Sequence, residues 1–320
     1  MRLALQLPSI RMSHFSVLVI GDHIEQQLQP YHEFECTGTN DQYVQDVDVT
    51  EELRERMTGD EPETLEAALD WHGLADKMVS DESEVDREDD HKFGFAVVKD
   101  GQLIKAVNRT NPNKHWDWWV VGGRQGGFLK LKQGAEGYLC KRFGQIFDAE
   151  YRTVPSDNGR ADQCLKGAAD FDGMRDEAAQ EAGERWDKAH AALTKAGAST
   201  VWRTWEQCHE EDHKDDFEKA RQAYHAQPSV PAIKDAFPGE YFLSADEFQV
   251  SREQYVQAAR DRAVAPYALV KDGQWYAKGE MGWFGMSDDM LSQDDWNTKV
   301  NELLDSLPDD TLLTVVDCHI

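Results

Sequence analysis

The stretch FGFAVVKDGQLIKAV, residues 93–107, decides the fold class. Residues 93–98 and 103–107 are apolar, β-prone runs on either side of Lys99-Asp100-Gly101-Gln102. Asp-Gly suits the left-handed positions of a tight turn, so the segment predicts an antiparallel hairpin. The pentapeptide VKDGQ returns at 270–274, between the runs 267–270 and 275–278. A Trp-rich segment follows each hairpin, at 116–119 and at 281–284. Shared turn chemistry accounts for the repeat without an internal duplication.

Outward from the hairpins, residues 15–20 (FSVLVI) and 312–316 (LLTVV) are apolar runs that read as buried strands. They are candidates for neighbours in one sheet. Residues 62–78 carry helical spacing at Leu65, Leu69 and Leu74. Ser292 and Asp295 resemble a capping box before an apolar face of Trp296, Val300, Leu303, Leu304 and Leu307. Residues 158–237 read as a helical insertion. A helix over 175–196 aligns Ala179, Ala182, Trp186, His190 and Leu193. After a turn at 197–199, a helix over 200–225 aligns Trp202, Trp205, His209, His213, Phe217, Ala220 and Tyr224 within about 120° of arc. A short turn predicts an antiparallel helical hairpin. The expected fold is α+β, a mixed or antiparallel sheet with flanking helices and an inserted helical hairpin. Residues 12–157 with 238–320 form the core domain, and 1–11 are an upstream extension before a start at Met12.

The chain has 320 residues, with 61 Asp+Glu against 34 Lys+Arg, a formal charge of −27. Ten Trp, 13 Phe and nine Tyr are too many large apolar residues for a disordered acidic chain. Apolar runs are far shorter than the roughly 20 residues of a membrane span. The charge argues against non-specific binding to nucleic acid. It is unevenly spread. Residues 40–90 hold 19 acids against four bases, and 80–90 read as an acidic surface loop. Residues 91–142 reverse the sign, with ten bases against three acids. That +7 block is either a focused patch or a set of lysines on the solvent sides of strands. Five scattered cysteines (36, 140, 164, 208, 318) without CxxC spacing suit a reducing cytoplasm.

Three constellations have chemical potential. In WDWWVVGGRQGGF (116–128), Gly122, Gly123, Gly126 and Gly127 surround Arg124. Glycines let backbone N–H groups approach an anion, Arg forks onto phosphate or carboxylate, and Trp116, Trp118 and Trp119 offer stacking faces. Together they predict a site for a small anionic, nucleotide-like ligand. Alternatively, the glycines form a sheet bend and the tryptophans are core. The second constellation is His209-Glu210-Glu211-Asp212-His213, a literal H-E-x-x-H. It needs both imidazoles one helical turn apart with Glu210 as base. His190 on the preceding helix is a candidate third zinc ligand. The third is Asp317-Cys318-His319 at the end of the last strand, near His14 or residues 31–36. Alternation puts Asp317 and His319 on one face and Cys318 on the other, so Cys318 and His319 cannot form a nucleophilic dyad unaided.

The pieces MSHFSVLVIG (12–21), PYHEFECTG (30–38), NPNKHWDWWVVGGR (111–124) with GGFLKLK (126–132), GEMGWFGM (279–286) and DDTLLTVVDCHI (309–320) resemble a family of uncharacterised proteins encoded in phage and prophage genomes. The resemblance covers both β-rich parts and thins over 158–237. Where that family carries an aromatic after Gly-Gly-Arg, this chain has Gln125. The resemblance brings no activity. It implies a phage context, the cytoplasm of an infected bacterium, and Met12 as the start. The expectation is a non-catalytic accessory phage protein that binds a small anionic ligand, in counter-defence or host takeover, with no membrane partner and no cofactor. The alternatives are an acidic module that blocks a host nucleic-acid-binding protein, and a metal-dependent hydrolase using His209, His213 and Glu210, with His190 as a further candidate metal ligand.

Overall fold

The computed structural model describes residues 14–33, 41–59, 61–143, 150–214, 216–281, 287–289 and 291–320. The expected extension at 1–11, Cys36, and the Trp-rich segment at 282–284 lie outside them. In chain order the strands are β1 (His14–Ile20), β2 (Gln45–Asp48), β3 (Met78–Val79), β4 (Gly94–Lys99), β5 (Gln102–Thr110), β6 (Trp118–Val121), β7 (Leu129–Lys130), β8 (Tyr138–Phe143), β9 (Glu150–Pro155), β10 (Arg160–Ala161), β11 (Gln163–Leu165), β12 (Ala268–Lys271), β13 (Gln274–Ala277), β14 (Gly279–Met281), β15 (Ser287–Asp289) and β16 (Leu312–His319). The helices are α1 (Ile24–Leu28), α2 (Thr50–Thr58), α3 (Leu65–Trp71), α4 (Phe171–Ala196), α5 (Phe217–Ala226), α6 (Ser229–Ala236), α7 (Arg252–Arg262) and α8 (Gln293–Ser306). The architecture is α+β. Among the described residues, no helix is long and apolar enough to cross a membrane.

The chain divides into two compact units: 1–126 with 267–290 and 312–320, and 127–266 with 291–311. The expected insertion boundaries at 158 and 237 both fall inside the second unit.

In the first unit, the apolar first and last strands pair antiparallel, from His14↔His319 to Ile20↔Leu313. β12 joins β1 in parallel, β13 joins β12, and β6 pairs the end of β16. One sheet face buries Phe15, Val17, Val19, Val316 and Cys318 together with Leu28, Trp116, Ala268 and Val270. Burying side chains of this size stabilises by about 1.5–3 kcal/mol each. Alternation places His14, Ser16, Asp317, His319, Trp118 and Val120 on the opposite face. A second sheet, β2-β5-β4-β3, contains the hairpin at 94–110. Its Asp100 and Gly101 have φ of 52° and 76°, and Asp272 and Gly273 in the β12–β13 turn have 53° and 72°. Both VKDGQ segments therefore make the tight left-handed turn their sequence predicts. Helices α2 and α3 cover this sheet through Leu53, Ala68 and Leu69, with Leu74 from the turn after α3.

In the second unit, β8 pairs β9 and β11, and a helical layer surrounds Ala189, Leu193, Trp202, Tyr224, Ile233 and Phe248. α4 runs from the Asp170 cap, which accepts from Gly173 N–H, to Gly197. The expected helix over 200–225 is instead broken. Thr204 accepts from Gln207 N–H, a short π-helical run covers Gln207–Asp212, and Asp216 caps α5. Thr and Asp favour such caps because their side chains satisfy N–H groups that a helix start leaves open. Asp246 then locks the arm, accepting from Trp202 Nε1, Trp205 N–H and Tyr224 Oη.

Candidate functional site

The end of β16 gathers a polar cluster on the sheet face opposite the Phe15–Val316 core. His14 stands directly across from His319, and His319 across from Trp118. The two imidazoles meet edge to face, with ring centroids 4.9 Å apart. Trp118 lies edge-on to both, at 5.8 Å from His14 and 6.5 Å from His319.

Each imidazole is held by its own carboxylate. His14 Nδ1–H donates to Asp317 Oδ1 at 3.1 Å, and His319 Nδ1–H donates to Asp117 Oδ1 at 2.8 Å. A carboxylate only accepts, so each ring carries a proton on Nδ1, and Nε2 is the nitrogen left for another partner. Among the described residues, neither Nε2 has a hydrogen-bond partner. Asp317 is 1% exposed, and its second oxygen accepts from Arg124 N–H at 2.8 Å. Asp117 is held in turn, its N–H donating to His319 O at 3.0 Å and its carbonyl accepting from His32 Nε2 at 3.0 Å.

The glycine loop explains the carboxylate's position. Gly123 has φ +54°, and a Cβ there would stand 2.5 Å from Asp317 Oδ2 and 2.8 Å from Val120 Cγ1. Only a bare backbone lets Asp317 approach. The expected anion cradle is thus filled from within the chain. Gly122 N–H donates to Val315 O, Gln125 to Gly122 O and Gly126 to Gly123 O. Gly127 belongs to the second unit, where its N–H donates to buried Asp162. The amides of Gly122, Gly126 and Gly127 are therefore used within the chain, and Gly123 makes room for Asp317.

The tryptophans separate. Trp116 is buried in the Phe15 core with its indole N–H on Leu28 O, and Trp119 packs against the same core. This corrects the expected stacking role of both. Trp118 is 44% exposed beside the imidazoles. Arg124 is exposed, and its guanidinium makes no ion pair among the described residues. The rest of the basic block is spread over both units and largely neutralised: Lys105 by Glu82, Arg109 by Asp46, Lys114 by Glu33, Lys130 by Glu177.

Cys318 points into the core, where burial pushes its thiol well above the usual range. It is no nucleophile. The metal expectation loses its scaffold. His209 lies in the π-helical run with Nδ1 on Glu210, His213 lies beyond that run's end, and His190 stacks on Trp186 and donates to Phe248 O. The one-turn spacing that H-E-x-x-H requires is not present. Among the described residues, no three His, Cys, Asp or Glu stand together as a metal set.

Sequence reading paired Asp317 and His319 on one face but missed Asp117 as the second carboxylate. Its signal was the lone acid within WDWW. The chain matches no protein-family model, no curated protein and no solved structure.

Proposed function

We propose that the first unit binds a small anionic, nucleotide-like ligand on the sheet face formed by His14, Trp118, Arg124 and His319. The observation that carries this reading is the pair of carboxylate-anchored imidazoles with open Nε2 atoms. Trp118 supplies an exposed ring for a base, and Arg124 a guanidinium for a phosphate. The segments that carry the phage resemblance supply these residues, so the setting is an accessory function during infection, in counter-defence or host takeover. A thermal-shift panel of mononucleotides, cyclic nucleotides and dinucleotides tests it. A ligand at 100 times its Kd adds about 2.7 kcal/mol. The expected result is stabilisation by at least one compound, lost in both Trp118→Ala and Arg124→Ala. A panel without stabilisation refutes the reading.

A second reading rests on a different surface of the same unit. A groove of about 450 Å³ has four carboxylates in its lining, Asp48, Glu51, Glu52 and Glu82, against two bases, Arg54 and Lys105. Residues 80–90 are pinned beside it through Arg87 to Asp46 and Lys105 to Glu82. Carboxylates from three segments so converge, as a module that binds a basic host protein requires. Its test is capture of a basic partner that is lost at high salt and in Glu51→Lys/Glu52→Lys.

A further inference from the structure

The two imidazoles are equipped for more than recognition. A group that merely binds phosphate has no need of a fixed tautomer. Here both rings are fixed, each by a separate carboxylate, and one of those carboxylates is itself locked by Arg124 N–H and by the close approach to Gly123. The rings lie edge to face on adjacent strands with centroids 4.9 Å apart, close enough for one ligand to touch both. Cys318 is turned away and its thiol is protonated, so it offers no nucleophile here. A reaction that brings its own nucleophile and asks only for a base and an acid fits this inventory.

We propose that His14 and His319 cleave ribonucleotide phosphodiesters by general base and general acid catalysis, an inference that rests on nucleotide binding at this face. Buried Asp317 holds His14 with its lone pair on Nε2, the base form. Asp117 holds His319 through Nδ1, and His319 Nε2 is assigned the proton that the leaving oxygen takes. His14 Nε2 takes the proton of the ribose 2′-OH. O2′ attacks phosphorus, and the new O2′–P bond forms as the P–O5′ bond breaks. His319 Nε2–H gives its proton to the departing O5′. The products are a 2′,3′-cyclic phosphate and a free 5′-hydroxyl, with no redox change and no further co-reactant. Arg124 balances the charge that develops on the phosphoryl oxygens. The net charge of −27 disfavours long polyanions, so the substrate is short, a dinucleotide or small oligonucleotide.

The test uses the full chain with a panel of diribonucleoside monophosphates covering every base combination, and the matching 2′-deoxy compounds. The expected result is that at least one ribo compound gives a 2′,3′-cyclic product, while its deoxy counterpart binds and stays intact. His14→Ala and His319→Ala each lower kcat at least about 100-fold, in the range usual for removing an acid or base. His14→Gln and His319→Gln, checked for a native melting transition, guard against unfolding. Asp317→Asn is the positioning test: it lowers kcat without raising KM and moves the base limb of the pH profile. Deoxy compounds that bind beside ribo compounds that bind and stay intact overturn the catalytic assignment but leave the binding reading standing. Failure of both series to bind removes both. Cleavage of the deoxy series, or cleavage abolished by a chelator, also overturns the acid–base assignment.

Discussion

Gly123 is the residue on which the site's geometry turns. Its positive φ and missing Cβ let one oxygen of Asp317 meet Arg124 N–H while the other orients His14. An alanine there adds a left-handed backbone penalty and a Cβ overlapping both Asp317 and Val120. The expected destabilisation is about 2–4 kcal/mol by urea unfolding. The surviving folded fraction should also bind nucleotide more weakly, because Asp317 must move. A Gly123→Ala protein with unchanged stability and binding would show that Asp317 is not held this way. Asp317 and His319 were legible in the sequence from alternation alone, since residues two apart on a strand share a face. Asp117 was not. It sits between two aromatics whose packing role dominates the reading, and only the antiparallel register of β6 on β16 brings it to His319. The glycine run was legible as a turn. That the Arg124 N–H is already used was hidden, because its acceptor is a carboxylate 193 residues away in sequence.

At the scale of elements, short-range chemistry spoke clearly where a turn or apolar run had one solution. The Asp-Gly hairpins and the terminal strands are cases in point. It failed over 200–225, where a seven-residue stripe outweighed two capping residues. Thr204 and Asp216 look like ordinary polar positions on a helix face, yet each starts a new helical segment. Among the strands, β11 buries Cys164 at 3% exposure, and burial pushes its thiol up to about 11. The unfolded chain ionises this thiol near its ordinary value, so the contribution to stability is complete below about pH 8.5 and is lost as pH rises towards 11. Cys164→Ala removes that dependence. The stability difference between wild type and variant, from urea melts, should change by about 2–3 kcal/mol in the variant's favour between pH 8 and pH 11. Parallel pH profiles would contradict the burial of this thiol.

At the scale of the whole molecule, the charge divides the functional readings. Several cations of the basic block that stands out in the sequence are paired with acids, while Arg124 is exposed with its backbone on the carboxylate that holds His14, an arrangement that charge counting cannot reveal. The acidic block, by contrast, keeps a coherent groove on the first unit. The central claim is that His14 and His319 present open Nε2 atoms from carboxylate-fixed rings to a nucleotide-like ligand. Long-range proton–nitrogen NMR of the imidazole side chains reads this directly. The expected spectra show both neutral rings protonated on Nδ1, with both Nε2 resonances shifting when the stabilising nucleotide is added. A ring with a bare Nδ1, or Nε2 resonances that stay fixed at saturating nucleotide, would contradict it.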